Sequence, residues 1–278
     1  MKGRMERHSI GQYGRVKRYP DGTVELMAAD RPVFGWAGWE EVGAPKVLSH
    51  RLDSEQAPTR EKALDPANVE RAARRARAKL RDIALCTPFK YFVTLTLDRE
   101  RIDRYDVAAI TKKLNNWLDN QVRRHGLSYV LVPERHKDGA VHFHGLFNDA
   151  LPVQDSGTLT NIPGRKRPGK PRSRVVYNLP AWHLGFTTAI ELYGEYSRAV
   201  AYVCKYIGKQ TGGEAGKVGG RWYYSGGDLG APEVEYATLD VRAVGEMPGA
   251  YTFSVPEASA TFAVWRGPDG SGDDEKRG

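Results

Sequence analysis

Residues 140–147 read AVHFHGLF, and this run constrains the fold more than any other stretch of the chain. Val141, Phe143, Gly145 and Phe147 alternate with His142, His144 and Leu146. A period of two is the pattern of a β-strand, with both histidines on one face and Phe143 on the other. The Phe143 face suits a core beneath helices, and the histidine face is expected on the opposite, open side of a sheet. Two imidazoles one pleat apart either face solvent as an ordinary polar pair or converge on one divalent ion.

The surroundings extend the strand into a domain. KYFVTLTL (90–97) and LSYVLVP (127–133) are rich in β-branched and aromatic residues and read as strands. Between them Val107, Ile110, Leu114, Trp117, Leu118 and Val122 form one helical stripe. A short turn around KDG joins 127–133 to the histidine strand. Residues 152–182 read as a long Pro/Gly-rich connection, followed by a strand FTTAIEL (186–192) and a helix from about Ser197 to Lys209. The order is β-α-β-β-loop-β-α. It predicts an α+β domain whose central, mainly antiparallel sheet carries helices on one face. Upstream, DPANVERAARRARAKLRDIALC (65–86) reads as a helix, with Asp65 as cap and Pro66 at the first helical position. The expected layout is an N-terminal extension (1–64), the domain with its basic helix (65–210), and C-terminal strands with a tail (211–278). In the N-terminal part TVELM and VFGWAGW suggest hairpins. In the C-terminal part RWYY, EVEYATLDVRAV and YTFSVPEASATFAVW suggest further strands.

Charge points to the partner class. The formal net charge is +8, which favours a polyanion, nucleic acid first. Arg71, Arg74, Arg75, Arg77, Lys79 and Arg81 crowd the upstream helix, and form either a solvated face or a nucleic-acid contact. The connection holds RKRPGKPRSR (165–174), in which Arg165, Lys166, Arg167, Lys170, Arg172 and Arg174 face no acid. It is expected to grip a DNA backbone. Trp182, Trp222, Tyr223 and Tyr224 either stack bases or belong to the core. The two cysteines, Cys86 and Cys204, lie in no CxxC pair, which fits a reducing cytoplasm. No apolar run follows the basic N-terminus as in a signal peptide, and no run of membrane-spanning length is found.

A third candidate ligand joins the histidines. Glu134 ends the preceding strand, so a tight hairpin brings it beside His142 and His144. Two imidazoles and a carboxylate with open positions suit Mn²⁺ or Mg²⁺ better than structural zinc. His136 is a lesser candidate, as ligand or as support. In AVAYVCKYIGKQ (199–210), at about 100° per residue, Tyr202, Lys205, Tyr206 and Lys209 fall within an arc of roughly 100°. Val200, Val203 and Ile207 gather on another side. One face packs and the other presents two phenols and two ammoniums. A phenol needs cations or a metal-polarised target to attack at neutral pH.

Taken in order, FVTLTL, Glu134 with HFHGLF, and YVCKYIGK resemble the three motifs of HUH endonucleases, the rolling-circle replication initiators of plasmids, single-stranded-DNA viruses and small phages. The likeness covers about 90–210, and the paired Tyr202 and Tyr206 look like the two-tyrosine phage type. The resemblance implies an antiparallel sheet of RNA-recognition-like topology and a metal on Glu134, His142 and His144. It implies nicking of single-stranded origin DNA by Tyr202 or Tyr206, with Lys205 and Lys209 in support. The products would be a 5′-phosphotyrosine and a 3′-OH for a host polymerase. The sequence contains no P-loop, so unwinding would fall to a host helicase. Two other classes fit parts of the pattern: a non-catalytic nucleic-acid-binding module, and a non-haem iron oxygenase with a two-His-one-carboxylate triad. An oxygenase has no use for the paired Tyr/Lys helix or for the basic charge. Oligomeric state is not legible.

Overall fold

The computed structural model describes residues 13–30, 66–136, 138–161, 173–192, 196–207, 217–256 and 259–266. Asp65, the VFGWAGW segment, Arg165, Lys166, Arg167, Lys170, Arg172 and Lys209 lie outside the described residues. The chain divides into two compact units, Met1–Ala57 with Pro232–Gly278, and Pro58–Ala231.

The first unit draws on both ends of the chain. Its antiparallel sheet runs β10-β1-β2-β12-β11, from β1 (Tyr13–Arg18), β2 (Val24–Ala29), β10 (Glu233–Ala237), β11 (Tyr251–Val255) and β12 (Ala260–Trp265). Val16, Leu26, Ala28 and Ala263 pack with Val244 on one face. Local patterning shows such strands but not their partners, and here the partners lie more than 200 residues apart (Val16 beside Glu235). The DVRAV stretch, expected as strand, is helical at Val241–Gly245. Asp240 caps this turn by accepting from the amides of Arg242 and Ala243.

The second unit is a seven-stranded antiparallel sheet, ordered β6-β7-β8-β3-β5-β4-β9. Its elements are α1 (Pro66–Cys86), β3 (Tyr91–Leu97), α2 (Val107–His125), β4 (Tyr129–Arg135), β5 (Val141–Phe147), β6 (Gln154–Asn161), β7 (Ser173–Asn178), β8 (Gly185–Glu191), α3 (Tyr196–Tyr206) and β9 (Tyr224–Gly226). The α+β class and the central antiparallel sheet match the expectation. The connection 152–182 is not all loop: β6 and β7 form an edge hairpin with a bulge between Asp155 and Thr158. Its Gly and Pro residues masked the pairing.

Strand alternation then sorts the core into two layers. Odd-numbered residues of β3, β4 and β5 (Val93, Leu95, Leu131, Phe143, Phe147) meet Ile110, Leu114, Trp117 and Leu118 of α2. Asp106 caps α2 by accepting from the Ala109 amide, and Gly126 ends it at φ 72°, a left-handed position that suits glycine. Even-numbered Phe92, Val130, Val132 and Leu146 meet Ala73, Leu80, Ile83 and Ala84 of α1 and Val200, Val203 and Ile207 of α3. Helices therefore cover both faces. Trp182 and Tyr224 are core residues, and Trp222 and Tyr223 pack partly buried against the α1/α3 layer. Among the described residues no helix is long and apolar enough to cross a membrane.

Gly145 sits in β5 between Leu131 and Val93 of the flanking strands. A Cβ there would run into the Val130 carbonyl and the Leu131 backbone. Gly145→Ala is expected to cost about 1–3 kcal/mol, as overpacking does. Urea unfolding of the full chain checks this, and an unchanged midpoint would contradict the crowding.

Candidate active site

The site grows out of strand register. Glu134 lies directly opposite His142, and His142 directly opposite Thr96. One pleat along, His144 lies opposite Thr94 and Val132. All are even-numbered and share the face onto which α3 packs. The histidine face is thus not the open side of the sheet that the sequence suggested. Helix α3 covers part of it, because Val200, Val203 and Ile207 need the apolar even positions of β4 and β5.

Neighbouring side chains orient each imidazole. The Thr94 hydroxyl is 3.1 Å from His144 Nδ1, and the Thr96 hydroxyl 3.2 Å from His142 Nδ1. Such partners fix ring orientation and leave Nε2 for another ligand. His144 Nε2 lies 2.9 Å from Glu134 Oε2, so imidazole and carboxylate share a proton. The His136 ring stacks on His142 with centroids 3.7 Å apart. Burial, then the neighbouring His136, His144 and Arg104, hold His142 down at about 4, against the opposing pull of Glu134. At neutral pH His142 therefore carries a free lone pair, the form that binds a cation.

Helix α3 brings the phenols to this group. The Tyr206 ring stacks on His144, centroids 4.3 Å apart and planes 15° from parallel. Its hydroxyl donates to the Tyr202 oxygen at 2.7 Å. Tyr202 is half exposed, with Phe92 edge-on at 5.5 Å. Burial, then the bond to Tyr202, raises Tyr206 well above the usual phenol value. Tyr206 therefore keeps its proton and donates it, and Tyr202 is the acceptor of the pair.

The structure thus brings Glu134, His142, His144, Tyr202 and Tyr206 together. Lys205 is exposed on the same helix. Arg174 lies on β7, its guanidinium donating to the Glu191 carbonyl at 3.4 Å. Of the α1 cations, Arg77 is not a free DNA contact: its Nε donates to the Ile207 carbonyl at 2.9 Å, tying α1 to the end of α3. Thr94 and Thr96 escaped the sequence reading. Their signal was the alternation in FVTLTL, but only register shows which residues they face.

The donor set, two imidazoles and a carboxylate, fits a divalent cation in kind. Among the described residues, however, no three His, Cys, Asp or Glu side chains are gathered as a ready metal cage. Glu134 and His144 instead close on each other, and the shared proton occupies the place between their donor atoms.

The site is an HxH strand and a neighbouring carboxylate, faced by a helix with two tyrosines. Residues 90–211 match the model of the Replication-associated protein ORF2 family, a family of rolling-circle replication initiators. The matched stretch runs from the start of β3 past the end of α3 and contains every residue of this site. It supports a role in the initiation of replication. No curated protein and no solved structure matches the chain.

His142 supplies a direct check. With the metal-free protein, its imidazole proton resonances should stay in place from pH 8 to about pH 5 and move only near 4. Its folded value lies below the unfolded one. The unfolded chain therefore takes up the proton first, and stability falls as pH drops from about 6.5 towards 4. A midpoint near 6.5 in NMR titration would contradict the buried, neutral assignment.

Proposed function

We propose that this chain nicks single-stranded DNA at a replication origin by tyrosine attack and later rejoins the strand. The observation that carries the reading is the meeting of the two halves of the site: Tyr206 lies flat on His144 while its hydroxyl donates to Tyr202. Phenols of one helix and potential metal ligands of two strands therefore address the same point.

Glu134, His142 and His144 would hold Mn²⁺ or Mg²⁺, which supplies Lewis-acid polarisation of the scissile phosphate. Thr94 and Thr96 keep the two imidazoles aimed at it. The Tyr202 oxygen attacks the phosphorus, forming a 5′-phosphotyrosine bond and breaking the bond to the 3′ oxygen. The Tyr202 proton passes to solvent and the departing oxygen takes one up as the 3′-OH. Tyr206, which donates to Tyr202, orients the attacking oxygen and is placed for the second, rejoining transfer. Lys205 and Lys209 offer positive charge to the phosphate. A host polymerase extends the 3′-OH, and a host helicase opens the duplex. The basic stretch Arg165, Lys166, Arg167, Lys170, Arg172 and Arg174 holds the strand's backbone.

Incubated with Mn²⁺ and single-stranded origin oligonucleotides, the protein should form an SDS-stable adduct that maps to Tyr202. Tyr202→Phe should lower its formation by at least about 100-fold, and the Tyr202→Phe/Tyr206→Phe double variant should abolish it. An adduct that survives in the double variant overturns the reading. Binding without cleavage would mark a non-catalytic module, and iron-dependent turnover of a small molecule an oxygenase.

The backbone grip is tested separately. Arg172→Ala with Arg174→Ala should flatten the slope of log K against log salt by about 1.4, from two phosphates at roughly 0.7 each for single strands. A slope equal to that of the wild type removes the loop from the interface.

A further inference from the structure

The site face does not end at the metal ligands. Pairing of β8 with β3 places Phe186 directly opposite Thr96, and Thr96 directly opposite His142. A single cross-sheet row therefore reads Phe186, Thr96, His142, Glu134, one residue from each of β8, β3, β5 and β4. Residues in one row point to one face. The Thr96–His142 hydrogen bond shows that this is the face of the catalytic group.

Phe186 is 68% exposed although it stands inside a strand of a seven-stranded sheet. Thr188, the next residue of β8 on that face, is exposed as well. The contrast with the rest of the face is sharp. Phe92, on the same side of β3, is packed against the α1/α3 layer, and Leu146 is fully buried. A large aromatic left in water on a sheet face has no folding benefit to explain it, so its use lies with a ligand.

We infer that Phe186 is a stacking platform for a nucleobase of the single strand next to the scissile phosphate. This rests on the nicking reading and extends it to how the strand is seated. Two strand spacings, about 10 Å in all, separate Phe186 from His142, a distance one nucleotide bridges from phosphate to neighbouring base. Alternation along β7 places Arg174 on the same side of the sheet, beyond Phe186 from the histidines. The strand then runs from the tyrosines across β3 and β8, with a base on the Phe186 ring and its backbone towards Arg174. Every base offers a π-face, so this subsite grips without reading sequence.

The test uses full-length protein in EDTA with a fluorescein-labelled oligothymidylate of about 16 nucleotides, so that no chemistry occurs. Phe186→Ala should weaken binding about 5- to 150-fold with the salt slope unchanged, since stacking releases no counterions. Phe186→Trp should retain the affinity, and the emission of the introduced indole, read as a difference against wild type, should be quenched by the oligonucleotide. Because the side chain is exposed, neither substitution threatens the fold. Wild-type affinity in Phe186→Ala, or indole emission in Phe186→Trp that is blind to saturating DNA, overturns the inference. The two readings fail separately: an SDS-stable adduct with a silent Phe186→Ala removes only the platform. A binding loss in a protein that never forms the adduct removes only the nicking chemistry.

Discussion

The register of β5 is the constraint on which the rest depends. Its odd residues Val141, Phe143 and Phe147 are fully buried against the α2 layer, while His142 and His144 occupy the even positions. A slip of one residue would send both imidazoles into that apolar layer and bring Phe143 out. Burying two unpartnered imidazoles costs several kcal/mol, and exposing Phe143 forfeits about 2 more, so the pairing has one sound solution. Because β5 lies between β3 and β4, its register also decides that Thr94, Thr96 and Glu134 meet the histidines.

Helix α3 is held from both ends, and that explains how two phenols reach a sheet. At its start the Tyr196 hydroxyl contacts the Ala84 and Thr87 carbonyls at 2.7 and 2.8 Å, at the end of α1. Burial pushes Tyr196 up to about 12, so it stays a neutral donor there. Just past the end of α3 the Arg77 guanidinium takes the Ile207 carbonyl. Between these ties Val200 and Val203 sink into the even face of the sheet. At helical spacing that orientation swings Tyr202 and Tyr206 to the histidines rather than into the core. Helix α1, whose cations suggested a nucleic-acid contact, thus also serves as the clamp for the helix that carries the chemistry.

What the sequence disclosed follows from which signals are local. The period of two in VHFHGLF and the period of 3.6 in AVAYVCKY are complete within a dozen residues, so β5 and α3 were legible, as was the sharing of one face by His142 and His144. Glu134 was legible because a tight hairpin leaves little freedom in where its strands meet. Thr94 and Thr96 were not, since β3 reaches β5 only through a pairing across some fifty residues. The cover on the histidine face was missed for a related reason: alternation shows that one side is apolar, but Leu146 and Val132 on the other side declare a second helix layer only once α3 is seen to dock there. The sheet built from both chain ends was beyond local pattern altogether.

The helices cover this face unevenly, and the unevenness separates two tasks. Over β4, β5 and the Phe92 end of β3, α1 and α3 exclude water, so the Glu134–His144 pair and the Tyr206 ring sit where electrostatic interactions are strong. Towards β8 the cover ends, and Phe186 and Thr188 meet solvent. A polyanionic strand can be desolvated only over a short length, because every phosphate brought into such a layer loses its hydration. A site that buries one phosphate beside the tyrosines and leaves the next bases to an open platform limits that cost to the bond being broken. In the proposed reaction, the shared proton between Glu134 and His144 has the same logic. Two partly buried groups that must be ready for a cation satisfy each other until one arrives, so neither is left unpartnered beforehand.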